Sequence, residues 1–192
     1  QNNFLEIDYF TQKSLEIFKN LSGGIEGSLI SCLDETKTAS GARLLKQRVI
    51  EPFYRIEQIQ DRYNLTNWIL GNNINISQYQ TDFESIPDLE RSLSRISLSR
   101  GGPRDLLLMS KGLLIIEGIY ENLISNNQAK SISSLLNAII DNLDIDYSLF
   151  SNIKKAFKTN VPLIVKEGNF IKEGYHKELD SLRNFRNNEL EF

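Results

Sequence analysis

The sequence predicts a mostly α protein built from many helices, with one short β-hairpin-like segment near residues 163–171. Three observations carry that expectation. Apolar residues recur at helical spacing along most of the chain, most clearly in Ile132, Leu135, Leu136, Ile139, Ile140 and Leu143. Prolines and short polar residues stand where helices would begin or stop. Only at Leu163-Ile164-Val165 and Phe170-Ile171, on either side of Lys166-Glu167-Gly168-Asn169, does the pattern become two apolar runs around a tight turn.

Asp8 can cap a first short helix whose apolar side is Leu15, Ile17 and Phe18. Residues 21–28, with Gly23, Gly24 and Gly27, read as a loop, and 29–33 as a short apolar piece. Thr38 is the next cap, followed by Ala42, Leu45 and Val49 on one face of a helix that Pro52 stops. Ile56, Ile59, Tyr63, Thr66 and Leu70 mark another stripe, and the polar, Asn-rich residues 71–77 read as a loop. Pro87 opens a helix carrying Leu89, Leu93 and Ile96, which Gly101-Gly102 ends. Pro103 suits the first turn of the next helix, where its missing N–H costs nothing, and that helix continues through Met109, Leu113, Ile116, Tyr120 and Leu123. Ser131 is the expected cap of the stretch 132–143, and Leu149, Ile153 and Phe157 make one more helix. After Gly174, residues 175–192 return to a helical period with Tyr175, Leu179, Leu182 and Phe185. No Gly or Pro closes that helix and the chain does not begin with Met, so the expectation is a piece of a longer protein, folding as one helical domain over residues 1–192.

Composition narrows the chemistry. The longest apolar runs, Leu106–Met109 and Leu113–Ile116, are four residues, far short of the roughly 20 that a bilayer requires. A formal charge of -3 and a pI near 5.3 give no overall basic field for nucleic acid or anionic lipid. The single Cys32 excludes an internal disulfide and a cysteine-rich zinc site, and reads as a small buried apolar residue. The single His176, at a helix start, excludes a His–His metal pair and reads as exposed. Phosphate-loop, zinc-protease, C-x-x-C and G-x-S-x-G patterns are all missing. Ser28 follows Gly27 with no histidine to activate it, which leaves a helix-cap or loop role.

The densest charge cluster runs from Asp88 through Glu90, Arg91, Arg95, Arg100 and Arg104 to Asp105. Its arginines could hold phosphates, which would make the chain an autonomous DNA-binding helical module. The acids among them can neutralise them locally, and intramolecular ion pairs are the preferred reading. Glu16, Asp34, Arg43 and Asp180 stand in apolar helical contexts and are read as caps and helix-to-helix salt bridges. Asp34-Glu35-Thr36-Lys37-Thr38 in particular looks like a turn leading into a capped helix.

Four ordered blocks carry a resemblance. The first is Asp8-Tyr9-Phe10-Thr11-Gln12-Lys13-Ser14-Leu15-Glu16-Ile17. The second is Gly27-Ser28-Leu29, then Leu33-Asp34-x-Thr36-x-Thr38-x-x-Gly41-x-Arg43-Leu44-Leu45, and Pro52. The third is Ile86-Pro87-Asp88-Leu89-Glu90-Arg91 with Pro103-Arg104-Asp105-Leu106. The last is Gly168-x-x-Ile171-x-x-Gly174-Tyr175-x-x-Glu178-Leu179-Asp180-x-Leu182-Arg183. Together, over residues 5–186, they resemble the central part of the MutS family of DNA mismatch-repair ATPases. Gly168-Asn169 stands where many members have two glycines, and Ser14 where Asn is frequent; Asn tolerates positive φ better than most residues.

The resemblance implies that residues 1–192 form the helical core or lever domain, which joins the DNA-reading side of such a protein to its clamp and ATPase. It implies no catalysis and no cofactor in this stretch, with ATP and Mg belonging to a DNA-dependent ATPase parent. Implied partners are the remaining domains of the chain, mismatched duplex DNA through the parent, a second MutS subunit and a MutL-type protein, in the cytoplasm and without a membrane. Asp34, Thr36, Thr38, Arg43, Pro103, Arg104 and Asp105 are the expected structural and allosteric junction residues, because they stand at helix junctions inside the matching blocks. A MutS relative acting outside mismatch repair fits the same blocks.

Overall fold

Helix starts in this chain are set by short polar side chains. In the computed structural model, which describes residues 4–71, 76–125 and 132–189, Asp8 accepts hydrogen bonds from the backbone N–H groups of Phe10 and Thr11 (2.9 and 3.0 Å) and from the Thr11 hydroxyl (2.6 Å). These bonds open α1 (Tyr9–Ser14). The helix stops sooner than the apolar spacing implies. Glu16 turns to φ 50°, and its carboxylate accepts from the Leu21 N–H at 2.6 Å. Ile17 is thereby buried while Leu15 stays exposed.

Ser28, fully buried, caps α2 (Leu29–Leu33) through the Ser31 N–H, and Thr38 caps α3 (Ala39–Ile50) through the Gly41 N–H. Pro52 follows α3 as expected. Next come α4 (Ile56–Gly71) and α5 (Ile76–Ser85), the latter falling partly where a loop was expected. Residues 72–75 and Ser131 lie outside the described residues. Then follow α6 (Leu89–Ser97), α7 (Pro103–Ser125), α8 (Ser134–Leu143), α9 (Ser148–Ala156) and α10 (Lys177–Glu189). Pro103 is the first residue of α7, as its chemistry requires. The cap of α8 is Ser133, whose hydroxyl accepts from the Leu136 N–H at 3.0 Å.

The chain divides into two compact units, Gln1–Asp88 with Ile116–Ile145, and Leu89–Ile115 with Asp146–Phe192. In the first, the core is Trp68 of α4 against Leu136 and Ile140 of α8, with Leu65, Ile69, Tyr120 and Leu123 packed around it. The buried face of α4 is therefore the Leu65–Trp68–Ile69 side. Of the expected stripe Ile56, Ile59, Tyr63, Thr66 and Leu70, Ile59 is half-buried and the others are exposed. Asp61 pins the same two helices together: it accepts from the N–H groups of Ser134 and Leu135 (both 2.9 Å) and from the Ser134 hydroxyl (2.8 Å). A carboxylate at a helix N-terminus satisfies donors that have no partner inside the helix and meets the positive end of its dipole.

In the second unit, Leu107, Tyr147 and Ala156 are buried, and the Ser110 hydroxyl donates to the Phe150 carbonyl at 2.6 Å. The hairpin-like expectation for 163–171 is corrected here. Residues Val165–Glu167 form a single 3-10 turn, and the antiparallel bridge of this region joins Ile171 to Phe157 rather than to residues 163–165. Two consecutive left-handed residues, Gly168 at φ 63° and Asn169 at φ 54°, turn the chain away from a simple return. Phe170–Lys172 instead bonds to the end of α9, Lys158 N–H to Phe170 carbonyl (2.8 Å) and Lys172 N–H to Ala156 carbonyl (2.7 Å). The Phe157 and Phe170 rings meet edge to face at 5.4 Å.

Two outcomes follow from this packing. A Cβ on Gly102 would lie 2.1 Å from the Leu163 carbonyl oxygen, so Gly102→Ala is expected to lower stability by about 1–3 kcal/mol through overpacking. A urea unfolding midpoint equal to that of the parent chain would contradict this. Hydrogen bonds from Ser134, Thr11 and Ser148 hold the carboxyls of Asp61, Asp8 and Asp146 below their usual 3.8. Each then binds fewer protons folded than unfolded near that value, so the stability it contributes is complete above it and lost as pH falls through the lowered range. Thermal melts from pH 7 downward should show a steeper acid-side decline for the parent chain than for Asp61→Asn; superimposable slopes would contradict the assignment.

Candidate functional site

The junction residues fall into two groups, each inside one unit. In the first unit, Asp34 closes a tight turn, accepting from the Thr36 hydroxyl at 2.5 Å and the Thr36 N–H at 3.1 Å. Those bonds, the hydroxyl's foremost, hold its carboxyl below the usual range. Thr38 caps α3 two residues later. A Cβ on Gly41 would sit 2.8 Å from Thr38 Oγ1 and 3.5 Å from the Thr36 side chain, so the turn packs directly against the first turn of α3. One turn into α3, Arg43 projects a planar fork that donates to both carboxylate oxygens of Asp88, Nη2 to Oδ1 at 2.9 Å and Nη1 to Oδ2 at 3.2 Å. Its Nη2 also donates to Ser40 Oγ at 3.3 Å. This two-point pair links positions 45 residues apart and fixes orientation as well as distance.

In the second unit, Pro103 is fully buried at the start of α7. Asp105 accepts from the Gly102 N–H at 3.0 Å, an N-terminal cap made from inside the helix. The same carboxylate takes Arg95 Nε at 3.1 Å, and Arg95 Nη2 donates to the Arg100 carbonyl at 3.0 Å. The turn between α6 and α7, with Ser99 at φ 55°, is thus tied by one arginine. Arg104 is exposed, and none of these contacts involves it. Pro103 and Asp105 share this junction; Arg104 does not join it.

The ion-pair reading of the charge cluster holds for Arg95. Asp88 also takes the fork of Arg43, 45 residues away, and nothing in the spacing of Arg43 and Asp88 signals their meeting. Asp61 was also missed, since a carboxylate that caps a helix from another helix has no local signature. Ser28 is a buried cap, as read. His176 is exposed and accepts from the Leu179 N–H at 3.4 Å, at the start of α10. Cys32 is exposed, not buried as expected, because α2 turns Ile30 inward and Cys32, two residues on, stands on the opposite face. Asn169 takes the positive φ that its side chain tolerates, and its Oδ1 accepts from Lys158 Nζ at 2.6 Å. Asp180 accepts from the Gly174 N–H at 2.7 Å and pairs with Arg183, which also donates to the Ile171 carbonyl at 3.0 Å.

These groups hold backbone ends and helix starts. Among the described residues no cluster of three or more His, Cys, Asp or Glu could hold a metal ion, and no helix is long and apolar enough to cross a membrane.

The family model described as MutS domain III matches residues 10–191. Curated relatives named DNA mismatch repair protein MutS include that of Ruegeria sp., 35% identical over 97% of this chain and 21% of its own length. That of Roseobacter denitrificans is 32% identical over the same shares, and that of Bartonella tribocorum 36% identical over 95% of this chain and 20% of its own length. The chain thus spans about a fifth of the length of these relatives. A helical chain with caps and ion pairs at its junctions, matched end to end by one family model, belongs to the MutS domain III family.

Proposed function

We propose that this domain is a structural and allosteric lever of a DNA mismatch-repair ATPase, carrying no catalysis itself and coupling nucleotide state in the parent to its grip on DNA. The observation that supports this best is the Arg43–Asp88 pair, which orients α3 with two parallel hydrogen bonds while both side chains keep part of their contact with water (49% and 28% exposed). Exposed pairs of this kind contribute only about 0.2–1 kcal/mol of stability. A site built for strength would bury them or replace them with apolar contacts. A site built for geometry uses them as found.

In this reading residues 1–192 are the core and lever domain. Asp34, Thr36, Thr38, Arg43, Pro103 and Asp105 hold its helix junctions, and Arg104 acts on a surface the rest of the parent would meet. ATP and Mg2+ would bind elsewhere in the parent. Its partners would be its own further domains, mismatched duplex DNA, a second MutS subunit and a MutL-type protein in the cytoplasm. Packed helices transmit displacement because close-packed interiors do not deform continuously.

In the full parent protein, Arg43→Ala together with Arg104→Ala should shrink the effect of ATP on DNA affinity several-fold, toward the lower end of the roughly 5–150-fold range typical of allosteric coupling. The swap Arg43→Asp with Asp88→Arg should recover part of it. DNA-binding titrations with and without ATP that show unchanged coupling would sink the lever reading. The 192-residue chain alone, with net charge -3, should show weak, nearly sequence-blind affinity for duplex DNA or none, as read by fluorescence anisotropy. Tight binding that falls steeply between 50 and 200 mM salt would instead favour the DNA-binding module, since phosphate contacts release counterions.

A further inference from the structure

Among the described helices, α7 alone is divided between the two units: residues 103–115 belong to the second and residues 116–125 to the first. Each part is fixed within its own unit. On the near side, Pro103 is fully buried, Leu107 is buried and Ser110 Oγ donates to the Phe150 carbonyl at 2.6 Å. On the far side, Ile119 is buried, and Tyr120 and Leu123 pack against Trp68, Leu136 and Ile140. Between these anchors the sequence reads Gly112-Leu113-Leu114-Ile115-Ile116-Glu117-Gly118.

Such a stretch holds a helix poorly. An interior glycine lowers the local helix equilibrium about four- to fivefold relative to alanine, and a β-branched isoleucine loses rotamers against the preceding turn. At Gly118 the ordinary structural reasons for a glycine are absent. Its backbone is helical, and a Cβ there would meet no atom within 4 Å, so neither a left-handed turn nor a close neighbour requires it. An alanine would fit and would strengthen the helix. The physical effect of the glycine is to weaken α7 between its two anchors.

We propose that α7 is a hinge helix, which opens locally around Gly118 while its anchored ends stay folded, and that the lever described above bends at this point. The second clause rests on the lever reading; the first stands on α7 itself. A helix that must pass on a displacement and also relax needs one place of low local stability, and segments that move are drawn from that end of the stability range.

Hydrogen exchange resolved amide by amide in the 192-residue chain tests the opening. Gly118→Ala should raise the urea midpoint and slow exchange at residues 115–122 about two- to fivefold, while residues 106–110 keep their rates. Slowing shared equally along α7, or no slowing, would overturn the proposal. Should the variant fold poorly, the unsubstituted chain gives a second readout. Corrected for intrinsic rates, residues 115–122 should exchange at least about fourfold faster than residues 106–110; equal or slower exchange there would overturn it. In the full parent protein, Gly118→Ala should reduce the effect of ATP on DNA affinity about two- to fivefold, since a stiffer hinge shifts only the equilibrium it sits on. A glycine with a merely local role would change stability and leave that coupling untouched. Coupling intact in Gly118→Ala but lost in the Arg43 and Arg104 variant overturns the bend alone. Coupling intact in both overturns the lever, and the exchange profile then decides the opening by itself.

Discussion

The fold depends on its helix starts. The buried apolar core is thin: α1, α3 and α5 contribute no buried residue, and large side chains such as Phe10, Leu21, Ile56 and Phe185 stand in water. Helices with so little burial gain little from tertiary packing, which is what ordinarily makes short helices stable. The carboxylates of Asp8, Asp61, Asp105 and Asp146 and the hydroxyls of Ser28, Thr38 and Ser133 supply what is missing by satisfying N-terminal N–H groups. Hydroxyl caps such as those of buried Ser28 and Ser133 are each worth about 1 kcal/mol. Their larger effect is on register, because a cap defines which residue begins a helix and therefore which face it turns inward.

That dependence explains what could be read from the amino-acid order. Asp8, Thr38, Pro52 and Pro103 act on residues within one turn of themselves, so their effects are visible locally. The family resemblance rests on the same positions, which is why the mostly helical class and the family were both legible. Where the outcome depended on distant partners, local reading failed. The buried face of α4 was missed because Ile56, Tyr63 and Leu70 have the right spacing but are exposed, whereas Trp68 meets Leu136 and Ile140. The helix α5 was taken in part for loop, since Tyr79 and Phe83 alone make a weak stripe. The segment 163–171 has apolar runs suited to a hairpin, yet its hydrogen bonds go to the end of α9.

The junction residues were half legible for the same reason. Asp34, Thr36 and Thr38 form a self-contained turn whose bonds reach two or three residues. Arg43 was recognisable as a polar residue in an apolar context, but its partner Asp88 is 45 residues away. A nearer set of arginines competes for that carboxylate on paper. Arg95 is occupied by Asp105 and the Arg100 carbonyl, and Asp88 meets the fork from α3.

An exposed two-point ion pair has a property that a buried contact lacks. Its net contribution to stability is small because water solvates both partners well when they part, yet while formed it admits only a narrow range of orientations. A Leu–Leu contact reverses this, being costly to open and tolerant of rotation. An element that must hold one arrangement and then release it at low cost is better served by the first. In the lever proposed above, replacing Arg43 should therefore disturb the transmission of a signal before it disturbs folding, whereas replacing Trp68, buried against two helices, should do the opposite.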